Sequence, residues 1–212
     1  EVQQQPNITV KTSATIHKIV GQPGRFQVEL TSAGNAESFD VGAIVQATGW
    51  APYDAQKLTH LSYGASPDVI TSVEFERMLT QGAVKRPSNG KPARRIAFIQ
   101  CAGSRDANHL PYCSTVCCRT TLKQALWARE HDPECEAYVL AKDVRAPGLQ
   151  ESFYRRAQED PLIFFTKGEV GRVEKTDQGQ LSITVEHGLL GESVALEADL
   201  VVLAVGMVPN VS

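Results

Sequence analysis

One stretch of this chain occurs twice, and the repetition limits what the chain can fold into. Val41-Gly42-Ala43-Ile44-Val45-Gln46-Ala47-Thr48-Gly49-Trp50-Ala51-Pro52 resembles Ala198-Asp199-Leu200-Val201-Val202-Leu203-Ala204-Val205-Gly206-Met207-Val208-Pro209. Each copy is an apolar run closed by Ala-(Thr/Val)-Gly and a proline three residues on, and each follows a β-meander pattern. A short apolar run without polar alternation reads as a strand covered on both faces, as in a parallel sheet. Two copies of one organisation predict two related nucleotide-fold units in sequence.

The intervening patterns agree. Ile8-Thr9-Val10, Thr15 to Val20 and Arg25 to Thr31 alternate apolar and polar residues, with turns at Gly21-Gln22-Pro23-Gly24 and Ala33-Gly34-Asn35, which predicts a small antiparallel meander. Phe39 to Gln46 follows as a buried parallel strand. Thr71-Ser72-Val73-Glu74 is a capping box and predicts a helix from about Ser72 to Gln81, with Phe75, Met78 and Leu79 as its buried stripe. Gly82 to Pro92, rich in Gly, Pro, Lys and Arg, is a candidate linker and domain boundary. From Arg94 the order is strand (Arg95–Gln100), helix (Ser114–Glu130), strand (Glu136–Ala141) and helix (Leu149–Glu159), stopped at Asp160-Pro161. This alternation predicts a parallel sheet with right-handed crossovers. Leu162 to Thr166, a hairpin of Glu169–Lys175 and Leu181–His187 about Asp177-Gln178-Gly179, and the apolar strand Asp199–Val205 complete it. The expected class is α/β: a Rossmann-like parallel sheet with a β-meander, in two parts.

Hydrophobic content of 42%, charged content of 21% and a net charge of −3 suit a soluble globular protein and point to no nucleic-acid or membrane-surface partner. The longest uncharged apolar run, Leu200 to Val208, is too short to span a bilayer, and no signal peptide is expected before the first strand pattern. The five cysteines are not spread like a secreted disulfide framework. A cytoplasmic protein whose cysteines bind metal or do redox work is expected.

Four of those cysteines, Cys101, Cys113, Cys117 and Cys118, form the pattern C-x11-C-x3-C-C where a strand stops and a helix begins. In open α/β sheets that edge is where ligands bind, and a helix N-terminus favours thiolates. In a helix from Ser114, Cys113 and Cys117 face one way, Cys118 turns aside by roughly 100°, and Cys101 arrives from the strand. Converging soft thiolates suit an iron–sulfur cluster. Structural zinc is a second reading, although zinc knuckles usually carry C-x2-C pairs; buried free thiols are a third. Cys135 stands alone and reads as core. His109 is not needed as a ligand, and Arg105 either reaches a flavin or sulfide or ties down its loop with Asp106. Where a nicotinamide domain carries G-x-G-x-x-G, this chain has Cys101-Ala102-Gly103-Ser104-Arg105-Asp106, which lacks the glycines and adds a repelling carboxylate, so NAD(P) is not expected.

The duplicated Ala-(Thr/Val)-Gly ending resembles the flavoprotein disulfide reductases of the thioredoxin-reductase type. The cysteine stretch, with Tyr112-Cys113-Ser114, Cys117-Cys118 and Lys123-Gln124-Ala125, is similar to the HdrA-type flavoprotein component of heterodisulfide reductase. That resemblance implies a pyridine nucleotide-disulfide oxidoreductase-like fold, FAD, and a 4Fe–4S cluster on Cys101, Cys113, Cys117 and Cys118. It implies electron transfer between cluster and flavin, with other subunits of a heterodisulfide-reductase-type or ferredoxin-like complex as partners. Thr48, Gly49, Trp50, Pro52 and Gly206 would lie at the flavin, with Trp50, Pro52 and Tyr53 serving equally as hinge packing. Lys123 would face the flavin's reactive ring edge, paired with a glutamate for which Glu76 fits better than Glu74. The alternative is a non-catalytic docking module, with structural zinc or free thiols, whose Lys123 and glutamates are solvated helix charges. The resemblance divides the chain into a partial FAD domain (1–90), a NAD-domain-like unit (91–206) and a return segment (207–212). It implies an interior segment of a longer polypeptide, with an incomplete FAD site and no activity by itself.

Overall fold

The computed structural model describes residues 2–210, and the chain forms two compact units, Glu1–Gly49 and Trp50–Ser212. The first is an antiparallel meander of β1 (Ala14–Gln22), β2 (Arg25–Ser32) and β3 (Asn35–Val41), in that order. Both turns fall where expected: Gln22 pairs with Arg25 around Pro23-Gly24, and Ser32 pairs with Asn35 around Ala33-Gly34. Ile8-Thr9-Val10 forms no strand. The buried parallel strand expected over Phe39–Gln46 is also absent. Its first residues complete β3 antiparallel to β2, residues 43–49 form no strand, and Val45 is 91% exposed. An apolar run becomes a central strand only when neighbouring strands bond both of its edges, and among the described residues no strand runs beside 43–47.

In the second unit a short strand, β4 (Trp50–Pro52), precedes β5 (Val69–Thr71), α1 (Ser72–Thr80) and β6 (Arg95–Ala102). α2 (Cys117–His131), β7 (Glu136–Ala141), α3 (Gln150–Glu159) and β8 (Ile163–Lys175) follow. β9 (Leu181–His187), β10 (Glu192–Ala198), β11 (Leu200–Val205) and β12 (Met207–Pro209) are the last strands among the described residues. Seven strands make one sheet in the order β10-β9-β8-β7-β6-β11-β5, parallel from β8 to β5 and antiparallel from β8 to β10. The mixed α/β class with a mostly parallel sheet is therefore present. The sequence pattern divides β8 into two pieces, yet the strand is continuous: Ile163–Lys167 pair with β7, and it runs on to pair with β9. β5 and β10 escape the sequence pattern, one being three residues long and the other mostly exposed, with Glu192 and Glu197 near its ends.

Consecutive residues Ile96, Ala97 and Phe98 are all fully buried, which requires cover on both faces. On one face α1, α2 and α3 pack through Phe75, Leu79, Leu122 and Ala125. Phe75 meets Phe98 edge to face at 5.4 Å, and burying each such ring contributes about 1.5–3 kcal/mol. On the other face the core runs on into the antiparallel strands β8 and β9 through Val173, Leu181, Ile183 and Val185.

The two copies of the repeat tail meet: β12 pairs antiparallel with β4, Met207 opposite Pro52 and Pro209 opposite Trp50. The Gly82–Pro92 stretch lies within the second unit rather than at its edge. Asp68, 2% exposed, accepts from the Arg86 guanidinium at 2.7 Å and from the Ser88 N–H at 2.9 Å. A buried carboxylate must be paired, so this loop is tied down despite its linker-like composition. The α1 capping box forms as expected, Thr71 Oγ1 accepting from the Glu74 N–H and Glu74 from the Thr71 N–H.

Candidate thiol cluster and adjoining cleft

β6 carries Cys101 near its end, and the chain loops out before returning at Cys117 to start α2. The spacing predicts this helix from Ser114. It starts three residues later because Thr115 takes a left-handed φ of +59° and the Ser114 hydroxyl accepts the Met207 N–H at 2.8 Å. Cys113 is therefore a loop residue, and the i,i+4 geometry with Cys117 does not arise. Cys101 and Arg105 are also left-handed, at φ +56° and +57°. Such conformations cost on the order of 1–3 kcal/mol each and persist only where surroundings enforce them.

The enforcing contacts are visible. The Tyr112 hydroxyl donates to the Met207 carbonyl at 2.9 Å, and the Tyr53 N–H donates to the Gly206 carbonyl at 2.8 Å. Ser104 and Ser114 share a buried hydroxyl contact at 3.1 Å, lying over Gly206, where a Cβ would strike Ser104 Oγ. The buried Tyr53 ring lies on Gly103, and its hydroxyl pairs with His109 Nδ1 at 2.7 Å. This close approach calls for a glycine at 206, and His109 is engaged by Tyr53.

The four thiols are close enough that each thiolate charge disfavours others. Cys117 is pushed up to about 12 by burial first and by Cys101, Cys118 and Cys113 next. Burial likewise raises Cys101 and Cys118. The helix N-terminus at Cys117 does not reverse this, since desolvation outweighs the dipole. Compensating donors converge on the sulfurs. The Thr115 N–H donates to Cys113 Sγ and the Arg145 N–H to Cys118 Sγ, both at 3.4 Å, and the Arg105 side chain favours the charged form of Cys101. Arg105 pairs not with Asp106 but with Asp143, whose carboxyl is held low first by that bond. Among the described residues no three His, Cys, Asp or Glu side chains stand at metal-ligating distance, so the thiols are gathered without being closed around a point. The donor set itself, four soft sulfurs with N–H donors aimed at them, fits an iron–sulfur cluster. Cys135 lies elsewhere, buried in the helix-side core.

On the helix side, a cleft of about 380 Å³ is lined by Trp50, Pro52, Glu76, Cys117, Lys123 and Gln124, among others. Lys123 Nζ donates to Glu76 Oε1 at 2.5 Å, so the expected pair is present; Glu74 is instead held by the capping box and Tyr63. Burial would raise the Glu76 carboxyl, but hydrogen bonds from Lys123 and Gln124 outweigh it and the group lies below its usual range. Thr48 and Gly49, expected beside these residues, belong to the first unit. At the ends of β6, β7 and β8 the remaining cavity is about 50 Å³, lined by Gln100, Cys101, Gly103, Lys142 and Glu169 among others. Lys142 and Glu169 pair there at 2.6 Å. Asp143 and Arg145 join the site without any motif to announce them, and Gln124 stands in the Lys123-Gln124-Ala125 segment without a role assigned to it. The first two follow β7, next to β6, where the rule that ligands gather at parallel strand ends points.

These features define a class: a mixed α/β unit with a mostly parallel sheet and a thiol cluster at the carboxyl edge of that sheet. Comparison with known proteins narrows it. The chain is 43% identical over 178 residues to the HdrA-type iron–sulfur component of the CoB–CoM heterodisulfide reductase of Methanocaldococcus jannaschii, covering 80% of this chain. It is 42% identical over 175 residues to the corresponding component of the H2/formate:CoB-CoM heterodisulfide, ferredoxin reductase of Methanococcus maripaludis, covering 79% of this chain. The match takes in 27% of each, so the chain spans about a quarter of the length of the curated relatives it matches. The chain is thus similar to one segment of these heterodisulfide reductase components. No family model matches it. A thioredoxin reductase of T. acidophilum aligns over 93% of this chain and 53% of its own, with 11% identity and a TM-score of 0.49.

Proposed function

We propose that this chain is the electron-transfer segment of a heterodisulfide-reductase-type flavoprotein, with Cys101, Cys113, Cys117 and Cys118 holding a 4Fe–4S cluster beside a flavin site at the Lys123 cleft. The observation that carries this reading is that Cys117 and Lys123 line the same cleft. Six residues of α2 separate them, about 9 Å along the axis. When bound, the flavin exchanges two electrons at once and the cluster one, so together they divide a two-electron change into single steps. This chain's residues supply the surroundings. Trp50 and Pro52 offer the cleft an aromatic and an apolar wall. Lys123, fixed by Glu76, presents a positive charge that favours a reduced, anionic ring. Thr115 and Arg145 N–H groups, with Arg105, stabilise negative charge on the sulfurs. Thr48, Gly49 and Gly206 remain proposed flavin neighbours only through the covalent chain next to Trp50 and Met207.

The partners are other subunits of a redox complex. No helix among the described residues is long and apolar enough to cross a membrane, and we place the protein in the cytoplasm.

Iron and acid-labile sulfide per chain, measured after anaerobic reconstitution, test the proposal. Near four of each, with broad visible absorbance, is expected. Cys117→Ser or Cys118→Ser should abolish retention while Cys135→Ser should not. Zinc bound instead, or equal loss in all three variants, would refute the cluster.

A further inference from the structure

Gln124 occupies an unusual position on α2. Its side chain is 0% exposed, yet it lies next to a half-exposed ion pair and lines the same cleft. Its Nε2 donates to the Ser72 carbonyl at 2.8 Å and to Glu76 Oε2 at 2.9 Å. Both partners are acceptors only, so the NH2 end must face them, and the amide orientation is set by chemistry. The carbonyl end is then left buried, and among the described residues Gln124 Oε1 has no partner. An unmade buried hydrogen bond costs on the order of 1–3 kcal/mol. An apolar residue of similar size would avoid that penalty and still fill the α1–α2 contact, so packing does not account for a glutamine here.

What the glutamine does that an apolar residue cannot is hold a carboxylate. Glu76 uses Oε2 for Gln124 and Oε1 for Lys123. With one oxygen anchored to a fully buried amide, the other has a fixed place, and the Lys123 ammonium is fixed with it, 5.8 Å over the Trp127 ring. A surface ion pair of two flexible side chains has no such constraint. We propose that Gln124 is the positioning residue of Lys123: it orients Glu76, and Glu76 in turn holds the ammonium at the cleft. This rests on the reading that Lys123 faces a flavin.

The test is a double-mutant cycle in the intact flavin-loaded protein, read by the flavin midpoint potential. Lys123→Met should lower the potential, since a positive charge near the reduced ring is lost. Gln124→Leu should shift it the same way by a smaller amount, and the double variant should match Lys123→Met alone, because a positioning residue has nothing left to position. Gln124→Met, unbranched, replaces Gln124→Leu if the latter fails to fold. A wild-type potential in the Gln124 variant, or shifts that add in the double variant, overturns the proposal. The Glu76 carboxyl, followed by 13C NMR titration, gives a readout that needs no flavin. It should titrate higher in the Gln124 variant, and an unchanged titration overturns the positioning role. A raised Glu76 titration together with an unchanged potential in Lys123→Met leaves Gln124's effect on Glu76 standing and refutes the flavin reading itself.

Discussion

Gly103→Ala is the sharpest probe of how the cysteine loop is held. Gly103 sits two residues after Cys101 with φ +73°, and a Cβ there would fall 2.6 Å from Tyr53 Cδ1 and 2.7 Å from Cε1. Two costs add. A left-handed alanine costs roughly 1–2 kcal/mol. Forcing a methyl into a packed ring costs about 1–3 kcal/mol more, because Tyr53 is buried and bonded to His109 and cannot swing away freely. Gly148 provides the control: its φ is +65° and nothing lies within 4 Å of a built Cβ. Gly148→Ala should therefore lose only the backbone part, and the difference between the variants, about 1–3 kcal/mol, isolates the Tyr53 contact. Both tryptophans, Trp50 and Trp127, belong to the second unit, so intrinsic fluorescence in a urea titration follows that unit alone. In a Tyr53→Leu background the excess should shrink toward the Gly148 value. Equal losses at Gly103 and Gly148 in the wild-type background would refute the packing argument.

Two further outcomes are expected. The Asp68 carboxyl lies below its ordinary 3.8: burial pushes it up, but hydrogen bonds from Arg86 and Ser88 and the guanidinium charge outweigh that. A lowered folded value adds stability that is complete above the unfolded 3.8 and is lost as pH falls below it; acid unfolding of Asp68→Asn should lack that component, and an unchanged acid limb would count against it. Burial, first, pushes Cys117 and Cys135 up to about 12, so at pH 8 on the order of one in ten thousand is thiolate. In metal-free protein, iodoacetamide followed by peptide mass mapping should label the partly exposed Cys101 and Cys113 before the buried Cys135; early labelling of Cys135 in folded protein would contradict this.

Much of the second unit is legible in the sequence because its signals are local. The period-3.6 stripe of Phe75 and Leu79, the Thr71 capping box and the continuous burial of Ile96 to Ile99 and Leu200 to Val205 depend on neighbouring residues alone. Lys123 and Glu76 are brought together by the family resemblance and not by any pattern, since 47 residues separate them. The start of α2 is illegible for the same reason. Ser114 reads as a helix start, but its hydroxyl is taken by Met207, 93 residues later. Sequence proximity gives Arg105 to Asp106, and the fold gives it to Asp143 at the adjacent strand's end.

By itself the sequence determined most element types of the second unit, the two turns of the meander, the pairing of a strand end with a cysteine-bearing helix, and the soft-donor character of the site. Those follow from backbone propensity, apolar periodicity and side-chain chemistry, which each residue carries with it. Only the tertiary structure decided that the two repeat tails bond to each other, that Gly82–Pro92 is anchored by a buried Asp68, and that the apolar run after Val41 forms no strand. It also decided that burial, not the helix dipole, governs Cys117, and that Gln124 stands behind the Glu76–Lys123 pair. Each of these turns on which distant groups share a low-dielectric interior or a hydrogen-bonding edge, and sequence spacing does not encode such neighbours.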